Sequence, residues 1–431
     1  MKLSVKKTLI CGVPFLTIML LWQVYNWMVP RYLNDFLAET ISADKMVIGI
    51  IMALDNLFAL FMIPLVAKLS DNCKSKIGRR KPYIIIGIIF SAIFFCAMPF
   101  INDTGNIWLL IINILLVLVS MNVYRAPAVA LMPDITPEEN RSKANSFINI
   151  LGGIGTALGV VLSMFLANNN QKLMFFITSG LMLLCLVYII FFLKEKKFVE
   201  EYQENNQDKI EEKIVEEEND DVKKESKANI IKMLMGILFF FMSFNAIETF
   251  MSLYTEEVFT NMPNILGGID FGSLAIGGFG AGCFIFSIPA ANLADKFGRK
   301  KVVIYGAAVV ALAYGGITLV SFLVGFSYII LLLFLIGGLG YACVIINILP
   351  MVLEHSNVTN TGKYTGYYYT ASMVAQSITP ALAGLFLSKL IFGKMIYLFP
   401  YAIVFIILSI AAFSLVNNKD VNTKANKEIK A

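Results

Sequence analysis

The sequence predicts an all-α membrane protein of twelve transmembrane helices, built as two six-helix bundles in a 6+6 parallel repeat. Three observations predict it. The 431 residues have a mean hydropathy of +0.73, with 58% hydrophobic and 15% charged side chains, too apolar to be wrapped in a polar surface. Apolar stretches of about 18 residues or more, enough to cross a hydrocarbon core at a rise of about 1.5 Å per residue, recur along nearly the whole chain. A short basic motif occurs twice, at matching places in the two halves.

The stretches cover 8–29, 46–67, 82–101, 107–132, 143–167 and 173–193, then 230–254, 271–293, 302–323, 327–349, 364–387 and 395–416. The first follows Lys2, Lys6 and Lys7 as a secretory signal would. It continues through LLWQVYNWMVP without a small-residue cleavage site, so it is expected to be a retained span. Six cysteines are scattered with no paired spacing, which implies neither a disulfide framework nor a metal site. The net charge of +5 sits in short loops, where membrane orientation explains it better than nucleic-acid binding.

Lysine and arginine are retained in short cytoplasmic connections. The loop SDNCKSKIGRRKPYI, Ser70 to Ile84, holds five basic residues; DKFGRKK, Asp295 to Lys301, holds four; Arg141 and Lys143 mark a third. The alternate connections are poor in them: NDTGN at 102–106 has none, nor has 255–270. Both termini are therefore expected in the cytoplasm. Between spans six and seven, the mixed-charge segment 194–229 is read as a solvated, partly helical cytoplasmic linker between bundles at 1–193 and 230–431.

The halves repeat each other. Pro64, Asp71, Gly78-Arg79-Arg80-Lys81 and Leu131-Met132-Pro133 are matched by Pro289, Asp295, Gly298-Arg299-Lys300-Lys301 and Ile348-Leu349-Pro350. From the glycine to the later proline is 55 positions in the first half (78 to 133) and 52 in the second (298 to 350). A parallel six-plus-six repeat is a transporter architecture.

LADKFGRKK resembles the loop signature of the major facilitator superfamily. SDNCKSKIGRRKPYI and YRAPAVALMPDITPEENRSKAN are similar to segments of sucrose-proton symporters and their bacterial relatives, close to the glycoside-pentoside-hexuronide:cation symporters. The resemblance covers all twelve spans. It implies the major facilitator fold, a bacterial plasma (inner) membrane location and a monomer. It also implies that Asp71 and Asp295, with Gly78, Arg79, Arg80, Gly298 and Arg299, form gate elements in which the aspartate bridges to the other bundle. The alternative is that the basic residues, Lys74 and Lys76 especially, only set orientation.

Ionisable groups inside spans cost at least about 2.5–3.5 kcal/mol at the bilayer centre unless paired or wet. Asp55 in span two, Arg125 in span four and Glu248 in span seven are such groups. They are the ion-coupling candidates, Asp55 or Glu248 binding a cation and Arg125 pairing with a carboxylate or substrate hydroxyls. A structural Asp55–Arg125 pair is the alternative. Sodium-coupled symporters of the resembling group carry several aspartates on span two; here Asp55 is followed by Asn56, which favours H+ as the coupling ion, with no other cofactor. A sugar presents hydroxyls at its rim and C–H bonds on its faces, so aromatics beside hydrogen-bonding groups suit it. Trp22, Gln23, Tyr25 and Asn26 in span one, Asn245 in span seven, and Tyr367 and Gln376 in span eleven are the substrate candidates. Trp27 and the run Tyr367-Tyr368-Tyr369 equally suit a membrane interface.

No nucleophile with a base, paired hydrolytic carboxylates or P-loop is legible, which argues against an enzyme or ATP-driven pump. His355, the sole histidine, lies in a loop and is given no role. The reading is uptake of a sugar or glycoside with H+ by a secondary active transporter. An efflux carrier for amphipathic compounds is the rival in mechanism, though span five, INILGGIGTALGVVLSMFLA, lacks the Gly-Pro kink such antiporters tend to carry. A non-transporting sensor on the same fold is the rival of another class.

Overall fold

A computed structural model describes residues 4–38, 40–136, 141–204, 224–259, 268–354 and 361–416. Thirteen α-helices lie among the described residues: α1 (Val5–Leu37), α2 (Asp44–Asp71), α3 (Lys81–Asn102), α4 (Ile107–Ile135), α5 (Arg141–Leu166), α6 (Gln171–Phe192), α7 (Glu195–Glu204), α8 (Lys224–Val258), α9 (Phe271–Phe297), α10 (Arg299–Leu323), α11 (Ile329–Leu353), α12 (Thr361–Leu387) and α13 (Leu398–Ser414). Twelve of them are long and apolar enough to cross a membrane; α7 is the exception. The first is longer than its expected 8–29, because WMVPRYLNDFL carries the helix on past Pro30.

Large apolar side chains remain on the outside: Phe284 is 81% exposed, Leu312 76% and Ile288 75%. A soluble protein would hide such surface; in a bilayer it faces lipid.

The chain divides into two compact units, one of 1–36, 54–216 and 265–270, the other of 37–53, 217–264 and 271–431. The first thus begins its share of α2 at Leu54, inside the helix. Within it α3 packs on α4 and on α6; within the second, the corresponding helices pair likewise, α10 with α11 and α13. The sequence repeat therefore reappears as repeated helix pairing. Small residues bring the backbones together at equivalent places. A Cβ on Gly87 of α3 would meet Ser120 O of α4 at 3.0 Å, and one on Gly306 of α10 would meet Gly340 O of α11 at 2.7 Å.

The 194–229 segment departs from the solvated expectation at its start. Glu195, first residue of α7, is 2% exposed, and Phe198 of the same helix lies under the Lys7 ammonium, 5.1 Å from ring centroid to Nζ. Residues 205–223 of the segment, and His355, lie outside the described residues.

Candidate functional site

In the first unit α1 turns Trp22, Gln23, Tyr25 and Asn26 through just over one turn of helix. Tyr25 is 1% exposed, while the other three are half-buried. Gln23 fits against Gly159 of α5, where a Cβ would come within 2.6 Å of it. The Arg125 guanidinium of α4 sits over the Trp22 ring, 5.5 Å from its centroid, and Trp22 and Tyr25 are 6.1 Å apart, tilted. Asp55 of α2, 1% exposed, lies close enough for its charge to act on the Tyr25 hydroxyl. The structure thus brings four of the sequence candidates into one cluster, Asp55, Tyr25, Trp22 and Arg125. Arg125 makes its aromatic approach to Trp22. Both the Tyr25 hydroxyl and Arg125 Nη1 are buried with no hydrogen-bond partner among the described residues. Groups of that kind have to be satisfied by something, water or ligand.

Trp27 packs inside the first unit. It is 1% exposed, and Arg31 stacks on it, 5.1 Å from guanidinium to ring centroid. Arg31 lies beyond the expected end of span one, where no local pattern marks it. It donates to Asp270 Oδ2 at 2.7 Å and to Asn168 Oδ1 at 3.2 Å, and the Asp270 amide donates to Met164 O at 2.7 Å.

In the second unit, the Asn245 side chain donates to Phe241 O of its own helix at 2.8 Å and is 7% exposed. Glu248, half-buried one turn further along α8, acts electrostatically on Tyr341 of α11. Tyr341 is walled by Phe240, Phe244 and Phe279 at 5.4, 4.7 and 5.2 Å between centroids. Of the tyrosine run in α12, Tyr368 turns inward, 8% exposed and edge-on to Phe241 at 6.3 Å, whereas Tyr367 is 40% exposed. Gln376 donates to Ser372 Oγ at 2.9 Å. Tyr341 is not among the residues the sequence singles out, since in GLGYACVIINILP it is a lone tyrosine amid small and aliphatic residues.

The first basic loop is an ordered lock within its own unit. Gly78 takes φ +123°, open to glycine alone. The next three amides, of Arg79, Arg80 and Lys81, all donate to the Glu195 carboxylate at 2.8–3.1 Å. Arg80 grips Asp71 at 2.6 Å, Asp134 at 3.0 Å and Ser70 Oγ at 2.7 Å, while Arg79 reaches Asp134 at 2.8 Å. Lys81 Nζ donates to Ile190 O and Leu193 O, capping the end of α6. Asp71, expected to bridge to the other bundle, is thus engaged by arginines of its own unit.

The second copy repeats this in part. Lys300 Nζ donates to Ser414 O and Val416 O at the end of α13, as Lys81 does for α6. Gly298 also has positive φ, +87°. Arg299 pairs with Glu354 at 3.1 Å, and Asp295 is exposed. Burial pushes the Glu354 carboxyl above its ordinary range, with the Arg299 charge opposing. Asp134 directly follows Pro133 in LMPD; Glu354 stands four residues after Pro350, so the repeat does not predict it.

Twelve spans, paired alike in two units and each closed by a basic loop, define a membrane transporter built by internal repetition, not an enzyme. The sequence model of the Major Facilitator Superfamily matches residues 15–278 and 258–431, and the chain belongs to that family. It is similar to sucrose transport protein SUC4 of Arabidopsis thaliana, 30% identical over 118 residues, 24% of this chain and 23% of the relative. It is also similar to the class H tetracycline resistance protein of Pasteurella multocida, 26% identical over 140 residues, 32% of each chain. These matches span about a quarter to a third of the relatives' own length. Among solved structures, a D-xylose-proton symporter superposes with a TM-score of 0.68 over 96% of this chain and 97% of its own. At 15% identity that likeness concerns the fold.

Proposed function

We propose that the chain takes up a sugar or glycoside, such as a disaccharide, together with H+, by alternating access. The observation that carries this is the α1 cluster. A flat indole ring under a guanidinium, beside a phenol, offers an apolar face and unsatisfied polar atoms within one pocket-sized neighbourhood, the combination a pyranose needs. Asp55, buried at 1% exposure next to that set, is a carboxylate whose protonation would change the charge felt by the sugar-binding groups. The partial likeness to a sucrose transport protein and the fold shared with a xylose-proton symporter support the same reading. A monomer in the bacterial inner membrane, both termini cytoplasmic, accompanies it.

The second reading, export of amphipathic compounds, is favoured by one observation, the partial likeness to a tetracycline resistance protein. One assay separates them. Purified protein in liposomes is followed by internal pH while sucrose, maltose or other glycosides are added outside, with Asp55→Asn and Glu248→Gln alongside. Sugar-evoked acidification lost in Asp55→Asn supports symport through that carboxylate. No acidification with any sugar, with lipophilic cations moving against a pH gradient, would establish export instead.

A further inference from the structure

Helices α3 and α6 of the first unit leave a groove of about 470 Å³ between them. Its floor is carved by the small residues Ala92, Ala97 and Gly180; Phe100 and Phe176, 43% and 49% exposed, form its rim at one end. Ser179 lines it with an Oγ that is buried and has no hydrogen-bond partner among the described residues. The helices are antiparallel neighbours, so the Phe100 end lies with the α3–α4 turn, at the opposite end of the unit from the basic loops.

At that end stands an ion pair. Lys172 Nζ, at the start of α6, lies 2.6 Å from Asp103, directly after α3, and both side chains are half exposed, 50% and 54%. The same ammonium is 5.3 Å from the centroid of the Phe100 ring, so the charges sit over the groove mouth. From Lys172 to Leu183, the far lining residue, is eleven residues of helix, about 16 Å. Half of a hydrocarbon core is about 15 Å.

We infer that this groove holds one acyl chain of a phospholipid with a zwitterionic, amine-bearing headgroup, its phosphate on Lys172 and its ammonium on Asp103. The distance along α6 from the ion pair to the far end of the groove matches one leaflet, the groove lining is mainly apolar as a chain requires, and the ion pair beside it presents one positive and one negative group. A phosphate–ammonium headgroup is the complement of that pair. An anionic headgroup would satisfy Lys172 and be repelled by Asp103; a quaternary ammonium could not donate a hydrogen bond to the carboxylate. The start of α6 adds its own partial positive charge at the phosphate level.

Gly180 gives a direct test, because a Cβ there would meet no atom within 4 Å. Gly180→Phe places a ring in the groove from a position whose Cβ is uncrowded. Full-length protein in detergent is titrated with palmitoyl-oleoyl phosphatidylethanolamine, phosphatidylcholine or phosphatidylglycerol, and bound lipid is counted by native mass spectrometry. The ethanolamine lipid is expected to bind as one retained copy, about tenfold tighter than the other two. Gly180→Phe should lose that copy, Lys172→Gln should weaken all three lipids, and Asp103→Asn should erase the ethanolamine preference.

Cys96, a free thiol in the groove lining, provides a readout on the unaltered chain. Its alkylation by N-ethylmaleimide should slow when the ethanolamine lipid is added, while Cys73 in the basic loop reacts unchanged. Equal binding by Gly180→Phe, or a Cys96 rate indifferent to lipid, overturns the assignment. A dimer in detergent that Gly180→Phe dissociates would give the groove to a second copy of the chain and overturn it as well.

Discussion

Arg31 Nη2 and Asp270 Oδ2 lie 2.7 Å apart with only 6% and 3% of their side chains exposed, one of the most completely buried ion pairs among the described residues. An intact buried pair adds little to stability, since desolvation offsets attraction, but removing one partner strands a charge. Asp270→Ala is therefore expected to destabilise the protein by about 3–5 kcal/mol, and Arg31→Met with Asp270→Leu together by much less. Thermal unfolding in detergent measures both. Equal losses in the single and double variants would show that the charges are not each other's main partner.

Gly78→Ala meets two obstacles. Its φ of +123° is strained for any side chain, and a Cβ would approach Glu195 Oε2 to 2.2 Å. Together they should cost more than the roughly 1–3 kcal/mol of dihedral strain alone. Gly298→Ala, with φ +87° and nothing within 4 Å, should cost only the strain. A larger drop in melting temperature for position 78 is the expected result.

Glu195→Gln keeps an acceptor for part of the amide nest but removes its charge; Glu195→Ala leaves three amides, two of them buried, without their acceptor. Losing charge-assisted bonds costs about 1.5–3 kcal/mol each at most, so Ala should loosen the basic loop well beyond Gln. Faster amide exchange at Arg79 to Lys81 is the measurement.

Glu354 brings a pH dependence. Burial raises its carboxyl in the folded chain, so the folded state holds its proton to higher pH than the unfolded state does. Its contribution to stability is present below the ordinary carboxylate range and is lost as pH rises through the raised value. Glu354→Gln should flatten the stability profile across that window, read from melting temperatures at successive pH values.

Trp22 separates recognition from coupling. Removing its ring takes away a cation–π contact of about 1–2 kcal/mol with Arg125 and, in the proposed sugar symport, the flat face offered to substrate. Trp22→Ala is expected to lower sugar uptake about tenfold, at 1.4 kcal/mol per decade, and Trp22→Tyr to keep most of it. Unchanged uptake in Trp22→Ala would remove the ring from the site.

The spans were legible because a bilayer demands about twenty apolar residues, a signal no loop imitates. The repeat was legible because Gly78 and Gly298 need backbone conformations that few residues adopt. The α1 cluster was legible in part, since a charge inside an apolar helix announces itself, as Asp55 and Arg125 did. What escaped were partners supplied from a distance. Arg31 finds Asp270 across 239 positions and Arg80 finds Glu195 across 115, and no local pattern encodes such a meeting. Tyr368 and Tyr367 are neighbours in sequence, and only packing tells which one turns inward.

The two copies of the basic loop also carry different histories of permission. At Gly298 drift is restrained by a single dihedral angle; at Gly78 it is restrained by that angle and by a carboxylate lying against it. Among related chains the second glycine should therefore be the first to give way, while the first persists. Two halves that began alike would in this way record, in one matched pair of positions, which of them took on a third neighbour.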